Sequence, residues 1–333
     1  MAMPDVFTPD QFSLTTLTAA INKVPYKPGF VSKRGLFSES GVSTLTVALE
    51  ERDGVIGLVQ TQPRNGPRPA PTRERRKLRT FPIPHLRDYD YIRADELQGV
   101  RAFGSENQAL ALEQVRAERM MKMAGNLDVT LEHHRVGAIK GMVLDADGTT
   151  LFDLYSEFGV EAQAEIDFDL DNATPASGAL RRKAASAQRR IMDELGGVEP
   201  TGFEALCGDA FFDDLIAHPE VRETYKYQEG RKLREGYIYD FVDFGGIRWI
   251  NYRNGGFGMI HTDKCHIYPL GVAGLFITRF APAPYFETVN TLGLPRYAKA
   301  IGDDWDTQID LEAQTNPLNL CTRPRALQQG RRT

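Results

Sequence analysis

What this sequence has little of narrows its function first. Its three cysteines, Cys207, Cys265 and Cys321, are odd in number, far apart and without a CxxC pair. That argues against a disulfide framework or a zinc ribbon and leaves reduced, packed thiols. No window approaches the roughly 18 consecutive apolar residues of a membrane span. The start, MAMPDVFTPDQF, lacks the basic opening and apolar run of a signal peptide, so the expectation is a chain kept in cytoplasm-like surroundings with no membrane partner. There is no internal repeat and no long low-complexity tract. Neither charge sign dominates: 40 Lys and Arg stand against 45 Asp and Glu, a net charge of −5. With 41% hydrophobic and 26% charged residues, wholesale disorder and collagen-like repetition are excluded, and 333 residues suffice for one large domain or two ordinary ones.

Catalytic signatures are equally scarce. There is no GxSxG elbow, kinase set or Rossmann fingerprint. His261, Cys265 and His266 in HTDKCH, and the adjacent His133 and His134, lack a CxxC or HExxH partner. The glycine-rich stretch 254–258 lacks the Lys-Ser/Thr of a phosphate loop. The run DADG (145–148) opens like a calcium loop, but Thr149 holds the fifth position and no Glu follows at the required spacing. Asp303, Asp304 and Asp306 have no visible partner for acid–base work. We therefore expect no enzyme, and assign no catalytic residue, metal ligand or cofactor.

What is present is an α+β pattern. Leu45, Val47 and Leu49 alternate as a strand, and Asp53-Gly54 predicts a tight hairpin turn. Pro82 and Pro84 keep FPIPHL extended. Ser105 and Gln108 form a capping box before a long helix that Gly125 and Asn126 are expected to kink. A second hairpin turns near Asp147-Gly148. Leu180, Ala184, Ala187, Ile191 and Leu195 make the apolar stripe of a helix over 179–195, and a shorter helix covers FFDDLIAHPEV. Short strands with Gly-rich turns run from Tyr237 to Leu292, followed by one more in WDTQIDLEAQ.

Two segments of opposite charge stand out. Between residues 63 and 80, prolines interleave with Arg64, Arg68, Arg73, Arg75, Arg76, Lys77 and Arg79 against a single acid, Glu74. Residues 157–171 hold six acids and no base, and Asp167, Asp169 and Asp171 alternate with Ile166, Phe168 and Leu170 so that one strand face is acidic. The basic segment suits nucleic-acid phosphates, although interleaved aromatics and a recognition module are missing. It equally suits Glu165, Asp167, Asp169 and Asp171 on another copy, an arrangement that closes into rings or larger assemblies. A solvated loop beside a charge-protected edge strand is the third reading.

The ordered set of this basic arm, TFPIPHLRDYDYIRADELQGVRAFG, the long helix, GMVLDADGTTLFDLYSEFG, CGDAFFDDLIAHPEV and EAQTNPLNLCTRPRAL resembles the major capsid protein E family of lambda-type tailed phages. The resemblance runs through nearly the whole chain. It implies the Hong Kong 97-like capsid fold, with an N-terminal arm over 1–42 and an extended loop over 43–86. The peripheral domain would be 87–172 with 296–333, and the axial domain 173–295. It further implies a major head protein of the virion, assembled in the host cytoplasm as hexamers and pentamers around non-specifically held double-stranded DNA. A separate scaffolding protein, a portal vertex and a decoration or cementing protein are the other implied partners. The basic residues would then lie across a neighbouring subunit. The competing function is a cytoplasmic nucleic-acid-binding protein using residues 64–79.

Overall fold

The computed structural model describes residues 14–23, 29–52, 76–97, 108–172, 174–226, 241–253, 259–302 and 307–333. Its helices are α1 (Leu14–Lys23), α2 (Phe30–Arg34), α3 (Ala94–Leu97), α4 (Gln108–Lys140), α5 (Leu154–Phe158), α6 (Ala179–Leu195), α7 (Asp209–Ala217) and α8 (Pro219–Lys226). The strands are β1 (Ser38–Gly41), β2 (Thr46–Arg52), β3 (Arg76–Pro82), β4 (Leu86–Arg93), β5 (Met142–Leu144), β6 (Thr150–Asp153), β7 (Ile166–Asp167) and β8 (Gly202–Cys207). They continue as β9 (Phe241–Phe244), β10 (Ile247–Asn251), β11 (Lys264–Leu270), β12 (Phe276–Phe280), β13 (Tyr297–Gly302), β14 (Gln308–Thr315), β15 (Pro317–Cys321) and β16 (Gln328–Arg331). This is the expected α+β class. The chain divides into two compact units, one of Met1–Ala48, Thr80–His133 and Ile277–Asn319, the other of Leu49–Arg79, His134–Phe276 and Leu320–Thr333.

The first unit is built on an antiparallel sheet in the order β13–β14–β4, with Leu311 opposite Ala300 and Asp90. Helix α1 presents Leu14, Leu17 and Ile21 from one face, because residues three and four apart share a side of a helix, and α1 packs on β13. With Met120, Met123, Ala124 and Leu127 of α4 and Ala298, Leu311 and Ala313 of the sheet, Leu17 and Ile21 form one core. Strand β1 runs parallel to β12 in a further three-stranded sheet, β1–β12–β15.

The second unit holds a six-stranded sheet in the order β7–β16–β11–β8–β10–β9. Its strands β8 and β10 are parallel, whereas β11 is antiparallel to both β8 and β16. Every residue of the apolar stripe read for α6 is buried, and the helix packs against β11 and β16. Trp249 sits fully buried among Phe168, edge-on at 5.4 Å, and Phe211, stacked at 5.8 Å. The hairpin β5–β6 turns where expected, Gly148 supplying φ 85°, which a residue with a side chain adopts only under strain.

One expectation, that for the acidic strand, is corrected. Strand β2 pairs with β3, which brings Val47 and Phe81, both buried, into one ribbon, while the turn expected at Asp53-Gly54 lies outside the described residues. Helix α4 runs without a break through Gly125 and Asn126. A helical glycine costs only about 1 kcal/mol, and the neighbouring Ala124 and Leu127 are held in the core. The acidic strand is shorter than its alternation suggested, because β7 ends at Asp167 and Asp169 takes φ 54°. The capping Ser105, the stretch 254–258 and Asp303, Asp304 and Asp306 lie outside the described residues.

Candidate assembly surfaces

Strands β2 and β3 form a two-stranded ribbon at the ends of the basic segment. At its base the Ile83 N–H donates to the Leu45 carbonyl at 3.0 Å. Arg64, Arg68, Arg73 and Arg75 lie outside the described residues, and Arg76 and Lys77 open β3. Arg79 is used within its own chain. Its guanidinium donates to the carbonyls of Glu157 and Phe158, the latter at 2.5 Å, and lies 5.5 Å from the Phe158 ring centroid. Those carbonyls end α5 and have no partner within the helix, so a cation there satisfies them.

The acidic segment shows the inward–outward alternation read from sequence: Ile166, Phe168 and Leu170 are buried, and the carboxylates point outward. Three of these carboxylates already have partners in the same chain. Glu165 pairs with Lys264 at 2.5 Å and Asp167 with Arg331 at 3.0 Å. Asp169 accepts from Asn172 at 3.1 Å and lies 3.9 Å from Lys183, while Asp171 is exposed. Beside them, residues 159–164 and Arg190, Asp193, Glu194 and Arg325 line an open depression of about 570 Å³. The surface thus combines carboxylates with cations that already moderate them, which weakens its pull on a basic partner.

The residues considered for metal chemistry are not gathered. Cys265 and His266 are adjacent on β11 and point to opposite faces, while His261 is two-thirds exposed. Among the described residues no group of three or more His, Cys, Asp or Glu side chains could hold a metal ion. Burial raises the Cys265 thiol well above its usual range and pushes Cys321 up to about 12. A thiol in that state is a packed apolar group with little nucleophilic character.

Burial, reinforced by the nearby Lys140 and Lys264 ammonium groups, lowers His266 to about 3. A histidine depressed in the fold is neutral there while the unfolded chain binds a proton, so stability is lost as pH falls from about 6.5 towards 3. Its share of the loss between pH 7 and pH 5 is about 2 kcal/mol. Urea unfolding at the two pH values is expected to show that difference shrinking by this amount in His266→Gln. An unchanged difference would remove His266 as its source.

A buried ionic clamp on α4 was not legible in the sequence. Arg296 is 3% exposed and donates from Nε and Nη2 to Asp128 Oδ1, at 3.2 and 2.5 Å, and from Nη1 to the Ile21 carbonyl at 3.0 Å. One turn further along, Glu132 accepts from the Val31 N–H at 2.8 Å, the Ser32 N–H at 3.0 Å and the Ser32 hydroxyl at 2.7 Å. It therefore satisfies N–H groups that the first turn of α2 leaves without helical partners. Together these contacts fasten the segment 14–34 to α4 of its own chain. No spacing signal links Asp128 to a residue 168 positions away. Among the described residues, no helix is long and apolar enough to cross a membrane.

Known proteins are similar to this chain in sequence and in architecture. The family model for phage major capsid protein E matches residues 13–332. The major capsid protein of Salmonella phage Felix O1 is 30% identical over 357 aligned positions, covering 95% of each chain. That of Pseudomonas phage KPP10 is 31% identical over 347, covering 97% of each. In fold, the chain is similar to the capsid structure of cyanophage P-SCSP1u, with a TM-score of 0.53 at 11% identity, covering 90% of this chain and 88% of that one.

Proposed function

Because the chain belongs to the phage major capsid protein E family, we propose that it is the repeating unit of a tailed-phage head. It would assemble as hexamers and pentamers into an icosahedral shell enclosing double-stranded DNA. The observation that carries this reading is the likeness to named major capsid proteins along 95% or more of both chains. The Hong Kong 97-like architecture agrees with it. On this reading 1–42 is the N-terminal arm, 43–86 the extended loop, 87–172 with 296–333 the peripheral domain and 173–295 the axial domain. Assembly takes place in the host cytoplasm with a separate scaffolding protein and a portal vertex, and a decoration or cementing protein is a further partner. The protein's role is structural, not catalytic.

Co-expression with the neighbouring assembly genes, followed by negative-stain electron microscopy, tests this. Closed shells or capsomer rings are expected. A persistent monomer with steeply salt-dependent DNA affinity would overturn it in favour of nucleic-acid binding through residues 64–79.

The basic segment then serves as an intersubunit clamp, with Arg64, Arg68, Arg73, Arg75, Arg76 and Lys77 meeting the carboxylates of Glu165, Asp167, Asp169 and Asp171 on a neighbour. Arg79 anchors the base of the same ribbon. Each exposed pair contributes about 0–1 kcal/mol, so the contact depends on several pairs with apolar burial. Prolines keep the segment extended before docking, which lowers the entropy lost on assembly. Reversing Arg73, Arg75 and Arg76 to Glu is expected to block assembly, and normal shells from that triple variant would refute the clamp.

A further inference from the structure

The connection between β12 and β13 exposes side chains that a soluble subunit would ordinarily bury. Phe286 is 99% exposed, and Val289, Leu292 and Leu294 are exposed with it. Single exposed apolar residues are common, but four within nine positions on one loop make a patch that implies a partner.

The loop is built to hold these residues out. Residues 286–288 form a short 3₁₀ turn, and the buried Thr288 hydroxyl bonds the Ala283 and Tyr285 carbonyls at 2.5 and 3.0 Å. The Thr291 hydroxyl donates to the Thr288 carbonyl at 2.8 Å, and the Leu294 N–H to the Tyr297 hydroxyl at 2.9 Å. At the base, the Gly293 N–H donates to the Val42 carbonyl at 2.9 Å, and the Val42 N–H to the Phe280 carbonyl at 2.8 Å. A Cβ at Gly293 would collide with the Phe280 backbone, so this close approach requires glycine. With the loop's shape set in advance, little conformational entropy remains to be lost on docking.

Charge selects the occupant. Glu287 is the single charged residue between positions 281 and 295, and Lys299 pairs with it at 3.2 Å. The Lys299 ammonium also lies 4.6 Å from the Tyr285 ring centroid. A neutral apolar loop offers nothing to nucleic-acid phosphates, and it can face an identical loop without repulsion. Symmetric contacts between copies require such self-complementary surfaces.

We propose that the loop 284–294 docks on the same loop of a neighbouring copy, with Phe286 at the centre of the contact. The inference rests on the shell reading above and names one of its subunit contacts. A few apolar side chains fall well short of the roughly 1,000 Å² of a stable interface. The contact therefore forms only when repeated across an assembly, and isolated subunits do not dimerise through it.

Two variants test it, each co-expressed with the assembly genes. Phe286→Asp alters a side chain wholly in solvent, so the subunit is expected to keep its unfolding midpoint while shells fall by about tenfold or more, as for a buried aromatic anchor. Val289→Cys gives the loop a thiol, and the native Cys207, Cys265 and Cys321 are buried and remain silent. A short bis-maleimide is expected to join copies in Val289→Cys shells and not in dissociated subunits.

Shells of normal number and heat resistance from Phe286→Asp would overturn the proposal. So would Val289→Cys shells that do not cross-link. Binding of the parent chain to phosphatidylcholine vesicles that Phe286→Asp loses, with shells unaffected, would overturn it in favour of a lipid surface. Absence of shells from the parent chain would instead overturn the shell reading itself, whereas a loss confined to Phe286→Asp supports the loop contact.

Discussion

Asp128→Ala is expected to destabilise the first unit by about 3–5 kcal/mol, because it leaves the Arg296 guanidinium buried without its countercharge. Both side chains are at most 4% exposed, so water cannot replace the lost partner. The strain should spread to the N-terminal segment, since Arg296 also holds the Ile21 carbonyl and its own carbonyl accepts from Asn22 at 2.9 Å. Thermal unfolding is expected to shift down by about 10 °C. Asp128→Leu combined with Arg296→Leu should cost less than either change alone, because removing both charges leaves none uncompensated. Additive losses in the double variant, or a single-variant loss below about 1 kcal/mol, would show that the pair is not what fastens this segment.

In the second unit, the largest single effect is expected from Trp249→Ala, at about 3–5 kcal/mol. The ring is fully buried, touches Phe168 and Phe211, and donates from Nε1 to the Phe244 carbonyl at 3.0 Å. Its removal leaves both a cavity and an unpaired acceptor. Trp249→Phe fills most of the space but not the hydrogen bond, so its loss should be clearly smaller. Urea unfolding followed by far-ultraviolet circular dichroism measures both. Equal losses for the two variants would place the energy in the hydrogen bond and not in packing.

The sequence by itself determined the elements whose signal is local. The stripe of α6, the β5–β6 turn and the reach of α4 follow from periodicity and turn chemistry, which act over a few residues. The family was legible in the same way, as an ordered series of segments along one chain. Tertiary structure alone decided which strand pairs with β2, because the alternation of Val47 and its neighbours fits several partners and only the shared burial with Phe81 selects β3. It also decided that Asp128 meets Arg296, that Arg79 closes α5, and that Phe286 stands in solvent. Charge in a sequence does not say whether its partner lies in the same chain or another, and an apolar residue in a loop reads like one in a core. Burial and pairing are set by residues far apart along the chain, so these features had no local signature.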